Sequence, residues 1–87
     1  MKFEYDQYKS DINLHKHGID FETAQYIWRD PNAIQIQAKS DTEERYSIIA
    51  IIKDKVWIAF YTYRLDTIRL ISVRRARENE KRIYNES

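Results

Sequence analysis

The stretch RYSIIAIIKDKVWIAFYTYRLDTIRLISV, residues 45–73, carries the decision about the fold. It is dense in isoleucine, aromatic and β-branched residues, which suit a pleated, half-buried surface. Lys53-Asp54 and Leu65-Asp66 break it into three strands, expected over residues 45–52, 56–63 and 67–73. Connections this short join antiparallel neighbours. Just upstream, Ala33-Ile34-Gln35-Ile36-Gln37 alternates with period two, the signature of a further half-buried strand. Lys39-Ser40-Asp41-Thr42 reads as the loop between them. The second half of the chain is therefore a meander of four strands.

The first half has a different character. Phe3-Glu4-Tyr5 alternates and forms a short strand, and Asp6 caps a helix through its side-chain oxygen. Tyr8, Ile12 and His15 recur at helical spacing and make the expected inward stripe of that helix. Gly18 ends it, since glycine enters the left-handed conformation without a Cβ penalty. Asp20 caps a second helix, with Ile19 and Ala24 placed as a hydrophobic staple. Phe21, Ala24, Ile27 and Trp28 give it an apolar face, and Asp30-Pro31 ends it. After the strands, residues 74–84 favour a last helix with Ala76, Ile83 and Tyr84 as its apolar stripe, and Glu78 and Arg82 as an ion pair. The expected class is α+β, in the order β-α-α-β-β-β-β-α.

A chain of 87 residues allows one domain, 1–87, with a thin core that buries only about 60–65% of its unfolded surface. The absence of cysteine excludes disulfides and thiolate metal sites and suits a reducing cytosol, so a cytoplasmic protein is expected. The longest apolar run, residues 56–61, is too short to span a bilayer, and no membrane role is expected. Gly18 is the one glycine, so no glycine-rich phosphate loop can form. The net charge of +1 hides an asymmetry: residues 64–87 carry seven Lys/Arg, six of them arginine, against four Asp/Glu. That points to an anionic partner for the C-terminal third.

Several local signatures together resemble one known family. Phe3-Glu4-Tyr5-Asp6, followed by Asn13-Leu14-His15-Lys16-His17-Gly18-Ile19-Asp20-Phe21-Glu22-Thr23-Ala24, is similar to the opening of the BrnT toxins. The segment Ile68-Arg69-Leu70-Ile71-Ser72-Val73-Arg74-Arg75-Ala76 and the closing Glu80-Lys81-Arg82-Ile83-Tyr84 resemble the same family in register. Tyr5 stands where the family usually has Trp, Val73 where Ala is common, and Lys53-Asp54-Lys55 where its hairpin often has a glycine. The resemblance implies a RelE-like fold and an endoribonuclease that arrests growth by cutting RNA. It also implies a cognate ribbon-helix-helix antitoxin, with operator DNA reached only through that antitoxin.

Metal-free RNA cleavage needs a base for the 2′-hydroxyl, cations for the phosphorane charge and an acid for the leaving oxygen. Arginine suits the second role, because its planar fork matches phosphate oxygens. Arg45, Arg64, Arg69, Arg74 and Arg75 lie on or beside the sheet. Arg69 interrupts an apolar strand, on a face expected to hold Ile71 and Val73, and needs a carboxylate, a phosphate or solvent before it. A cross-strand pair with Glu43 or Glu44 and a catalytic role stand level for it. Arg74 and Arg75 are expected to open the last helix, where their charge opposes the macrodipole and suggests an anion site.

His17 is an acid/base candidate, since histidine is the side-chain type suited to proton transfer near neutral pH, although capping the free carbonyls of its own helix and packing against Phe21 explain it better. Lys16 can neutralise a phosphate or cap the same carbonyls, and Glu44 is a candidate base. Trp57, Tyr61 and Tyr63 share a strand face; Trp57 belongs to the core, and Tyr63 is the better surface for stacking a base. The catalytic candidates are thus Arg69, Arg74, Glu44, Arg45 and His17, with Lys16, Arg64, Arg75 and Tyr63 on RNA. Two histidines two apart on a helix do not face one centre, so no metal or other cofactor is expected. The alternative is a non-catalytic, toxin-like module serving as co-repressor with its antitoxin.

Overall fold

The computed structural model describes residues 1–38 and 44–87, with Ala38 described in its backbone only. The expected loop at 39–42 lies outside the described residues, as does Glu43. Lys2–Glu4 forms β1, and Asp6 then accepts hydrogen bonds from the Tyr8 and Lys9 N–H groups to start α1, Gln7–His17. Gly18 closes α1 at φ 78°, the left-handed value its lack of a Cβ permits. Asp20 accepts from the Thr23 N–H to start α2, Phe21–Ala24, which continues as a 3-10 turn over Gln25–Arg29. The strands are β2, Ile34–Ala38; β3, Arg45–Ile52; β4, Lys55–Arg64; and β5, Thr67–Arg75. Helix α3 spans Glu78–Glu86.

These elements give an α+β fold with a five-stranded sheet in the order β1-β5-β4-β3-β2. Strands β2 to β5 form the expected antiparallel meander, whereas β1 joins β5 in parallel, which makes the sheet mixed. One face of the sheet carries the core. Ile48, Ala50, Trp57, Ala59, Tyr61, Ile68, Leu70 and Val73 meet Ile19, Phe21, Ala24 and Ile27 there. Trp57 is buried, as expected, and Tyr61 is fully buried beside Trp28 and Tyr46.

Helix α1 corrects the expected inward stripe. Tyr8 is 72% exposed and Ile12 41%, and His15 is exposed as well, whereas the residues α1 buries are Ser10 and Asn13. The cause is its position at the sheet margin. Beyond Glu4, β1 no longer covers β5, and the Asn13 carboxamide bonds the exposed edge at Val73 instead. Ser10 Oγ accepts from the Phe21 N–H and ties α1 to α2. Hydrogen-bonding demand, not apolar burial, orients this helix.

Strand β5 departs from expectation in two ways. It runs on through Arg74 and Arg75, which pair with Ile58 and Trp57, so neither arginine opens α3 and the macrodipole reasoning lapses. Register also shifts between Phe60 and Tyr61, leaving Ile71 as a bulge residue. A bulge re-aims the side chains beyond it. Val73 is therefore in the core while Arg69 points to the opposite face. In α3 the ion pair of Glu78 forms with Lys81 at 3.5 Å rather than with Arg82, and Ile83 is 41% exposed. Tyr84 docks the helix instead, its hydroxyl donating to Asp30 Oδ2 at 2.6 Å.

Candidate functional site

The face of the sheet opposite the α1–α2 layer carries Arg45, Arg64, Arg69 and Arg74, four of the five arginines of the strands. Phe3 and Tyr5 turn inward to Trp28 and Phe21, so Glu4 between them turns outward. Residues paired across strands share a face, and the register sets the successive rows. Lys2, Thr67 and Arg64 form one row, and Glu4, Arg69 and Thr62 the next. Ser72, Phe60, Ser47 and Ile36 make the third, and Arg74, Ile58, Ile49 and Ile34 the fourth. Helix α3 packs against β3 and holds Arg74, closing one end of this face. Arg69, Thr62, Phe60 and Ser72 remain partly open beside it.

Arg69 meets Glu4, not Glu44: its Nη1 lies 3.2 Å from Glu4 Oε2, and both side chains are about one-third exposed. One of its five N–H donors is used among the described residues, and the rest are free for an anion. Arg74 is held more firmly. Its guanidinium makes two bonds to Glu80, at 2.8 and 2.9 Å, and lies over the Phe60 ring at 5.4 Å. The bond from Arg74 holds the Glu80 carboxyl below its ordinary range against the opposing effect of burial, and the Arg77 N–H adds to this. Fixed cations spaced along one face, with the Ser72 hydroxyl between them, make a surface suited to a phosphate backbone, while the Thr62 hydroxyl beside them donates to the Glu44 carbonyl at 2.7 Å.

The other expected residues divide between this face and elsewhere. Arg64 is exposed in the outermost row and pairs with no described carboxylate. Arg45 is exposed at the start of β3, two residues before Ser47 and so on the same face. Lys16 and His17 line a shallow groove of about 180 Å³ with Lys9, Ile12, Asn13, Ile71 and Ser72, which places them at the margin of the arginine face. Neither side chain makes a hydrogen bond to another described residue.

Arg75 is separated from this group, since it stands over the Trp57 ring at 5.5 Å on the core side of the sheet. Tyr63 also lies on the core side, 43% exposed, with its ring against Tyr46 and Tyr61. Glu44 turns its carboxylate to the Tyr46 hydroxyl at 2.8 Å, away from the arginines. That bond, ahead of desolvation, pushes the Tyr46 hydroxyl up from its usual value.

Glu4, Thr62 and Ser72 also line this face, and the sequence did not single them out. For Glu4 a signal existed, because the alternation Phe3-Glu4-Tyr5 puts its side chain opposite two aromatic neighbours. Its approach to Arg69 depends on a parallel pairing across 65 residues, which no local pattern announces.

A comparison with curated proteins gave no significant match. The family described as "Ribonuclease toxin, BrnT, of type II toxin-antitoxin system" matches residues 5–80. That span includes α1, α2, the whole β2–β5 meander and the start of α3. The chain therefore belongs to the BrnT family of ribonuclease toxins of type II toxin–antitoxin systems.

Proposed function

We propose that this protein is an endoribonuclease toxin with a RelE-like fold, which cleaves RNA without a metal ion on the open arginine face of its sheet. The observation that carries the reading is the placement of Arg69 and Arg74 on one partly open face, with Thr62, Phe60 and Ser72 between them. Arg69 stabilises the charge that develops on the phosphorane, and Arg74, already fixed by Glu80, holds a neighbouring phosphate. Arg45 and Arg64 extend the cationic track along the face. Lys16 and His17 flank it from the α1 groove, where they meet the strand as it leaves the scissile position. In the cell a ribbon-helix-helix antitoxin covers this face and neutralises it, and the pair reaches operator DNA through the antitoxin alone.

Inducible expression of wild type beside Arg69→Ala, with growth and total RNA monitored on a gel, tests the reading. Growth arrest with RNA fragmentation, both relieved in the soluble Arg69→Ala variant, is expected, as is cleavage by purified protein in excess chelator. Co-expression of the cognate antitoxin is expected to restore growth. Normal growth and intact RNA with folded wild-type protein would overturn the enzyme and leave a non-catalytic co-repressor.

A further inference from the structure

We propose that Glu4 is the general base of this site, taking the 2′-hydroxyl proton while Arg69 holds the phosphate under attack. The inference rests on the ribonuclease reading above and deepens it by assigning the group that reading leaves open. Three described carboxylates are in question: Glu80, Glu44 and Glu4. Glu80 has both oxygens bound to Arg74, a further bond from the Arg77 N–H, and a side chain only 13% exposed. A carboxylate so engaged is a poor proton acceptor. Glu44 is committed to the Tyr46 hydroxyl on the core side of the sheet.

Glu4 differs from both. It is on the arginine face, its Oε2 meets a single N–H of Arg69, and its Oε1 has no partner among the described residues. The side chain is 36% exposed, enough for a nucleotide to reach it. β1 fixes it beside Arg69 by direct register, so the base and the cation stand side by side on paired strands. A base must lie within hydrogen-bond reach of the proton it takes, and the cation close to the oxygens that gain charge. A phosphate on the free donors of Arg69 puts the adjoining ribose next to Glu4.

The step balances without a further reactant. The Glu4 carboxylate accepts the 2′-hydroxyl proton as O2′ bonds to phosphorus and the P–O5′ bond breaks. The departing O5′ takes a proton from water, and the hydroxide left behind recovers the proton from Glu4. The products are a 2′,3′-cyclic phosphate and a 5′-hydroxyl end, and the carboxylate is restored.

The test uses the purified full chain on a defined RNA oligonucleotide, with thermal unfolding to verify each variant. Glu4→Gln keeps an oxygen for Arg69 but cannot act as a base. It is expected to lower kcat by about 10²–10⁴-fold with KM changed only a few-fold. Glu4→Ala is expected to regain part of its rate on addition of formate, which supplies a carboxylate to the vacated space. Cleavage by Glu4→Gln at close to the wild-type rate, or a folded Glu4→Ala that formate does not rescue, would overturn the assignment and leave Glu4 a positioning residue for Arg69. Wild-type products ending in 5′-phosphate would overturn it too. Should Glu4→Gln fail to fold, Glu4→Ser replaces it: a large fall in kcat with KM little changed supports the base, and a full rate refutes it. A wild-type chain that cuts no RNA removes the ribonuclease reading itself, a result distinct from cleavage by wild type and Glu4→Gln alike.

Discussion

The carboxamide of Asn13 stands against Val73 as a strand would: its Nδ2 donates to the Val73 carbonyl at 2.9 Å, and its Oδ1 accepts from the Val73 N–H at 3.2 Å. The same Nδ2 also donates to the Ile19 carbonyl at 2.8 Å. One side chain thus covers the edge of β5 that β1 leaves bare and ties the α1–α2 junction to it. Asn13→Ala leaves buried backbone groups without partners, at about 1–3 kcal/mol each where no water reaches them. A loss of roughly 3 kcal/mol is expected by urea denaturation. Asn13→Asp should do no better, because a carboxylate cannot donate to the two carbonyls. An Asn13→Ala variant within about 0.5 kcal/mol of wild type, the size of ordinary surface changes, would refute this account.

The two paired arginines of β5 are expected to separate stability from activity. Arg74→Ala strands the largely buried Glu80 carboxylate and should cost about 1–3 kcal/mol as well as activity. Arg69→Ala breaks a pair that is about one-third exposed, so solvent screening limits its cost to about 0–1 kcal/mol. Its cleavage rate should still fall about 10²–10³-fold, as when one charge-stabilising donor is lost. Parallel unfolding and cleavage measurements on both variants decide this.

Acid should weaken the docking of α3. The Glu80 carboxyl is depressed chiefly by Arg74. At Asp30, burial works against the charge, but bonds from the Ile51 N–H, the Tyr84 hydroxyl and the Asn32 N–H prevail and hold it low. A depressed carboxyl contributes fully above its unfolded value, and the contribution drains as pH falls through the folded one. Stability should therefore decline below about pH 4, and Glu80→Gln should flatten that limb. An unchanged slope in Glu80→Gln would remove the pair from the account.

Alkali acts on the same helix from the other side. Burial first, and then the bond to Asp30, push the Tyr84 hydroxyl up to about 12. A raised value means that its contribution is intact below the ordinary tyrosine range near about 10 and is lost as pH rises through the folded value. Tyr84→Phe should remove the last tyrosine to ionise in absorbance titrations near this pH, apart from buried Tyr61, and weaken the alkaline limb of stability.

Leu65 occupies the β4–β5 turn at φ 56° and is 99% exposed. A leucine side chain in left-handed geometry costs roughly 1–2 kcal/mol, and glycine does not bear that cost. Leu65→Gly is expected to raise the midpoint of thermal unfolding by several degrees without altering cleavage, with greater unfolded-chain entropy offsetting part of the gain. A lower midpoint would show that this entropy outweighs the strain.

The strands were legible in residues 45–73 because each turn interrupts a dense run of β-formers, and β3 has the expected ends. The caps at Asp6 and Asp20 and the stop at Gly18 were legible too, since each acts on its own next few residues. Helix α1 was read from the wrong side, because an apolar stripe is informative only when a helix docks by apolar contact. The candidate site was legible in type rather than in arrangement. Arg69 and Arg74 share a face, but Arg75 and Tyr63 do not join them, and the partner of Arg69 comes from the other end of the chain.

The sequence by itself determined the element order, the helix caps and the family, since these rest on contacts a few residues long or on residues in fixed succession. Only the tertiary structure decided which side chains meet. The bulge at Ile71 reverses the outward side along β5, and the parallel β1–β5 pairing brings Glu4 to Arg69. Both depend on strand register, which the packing of the whole sheet selects and no local segment encodes.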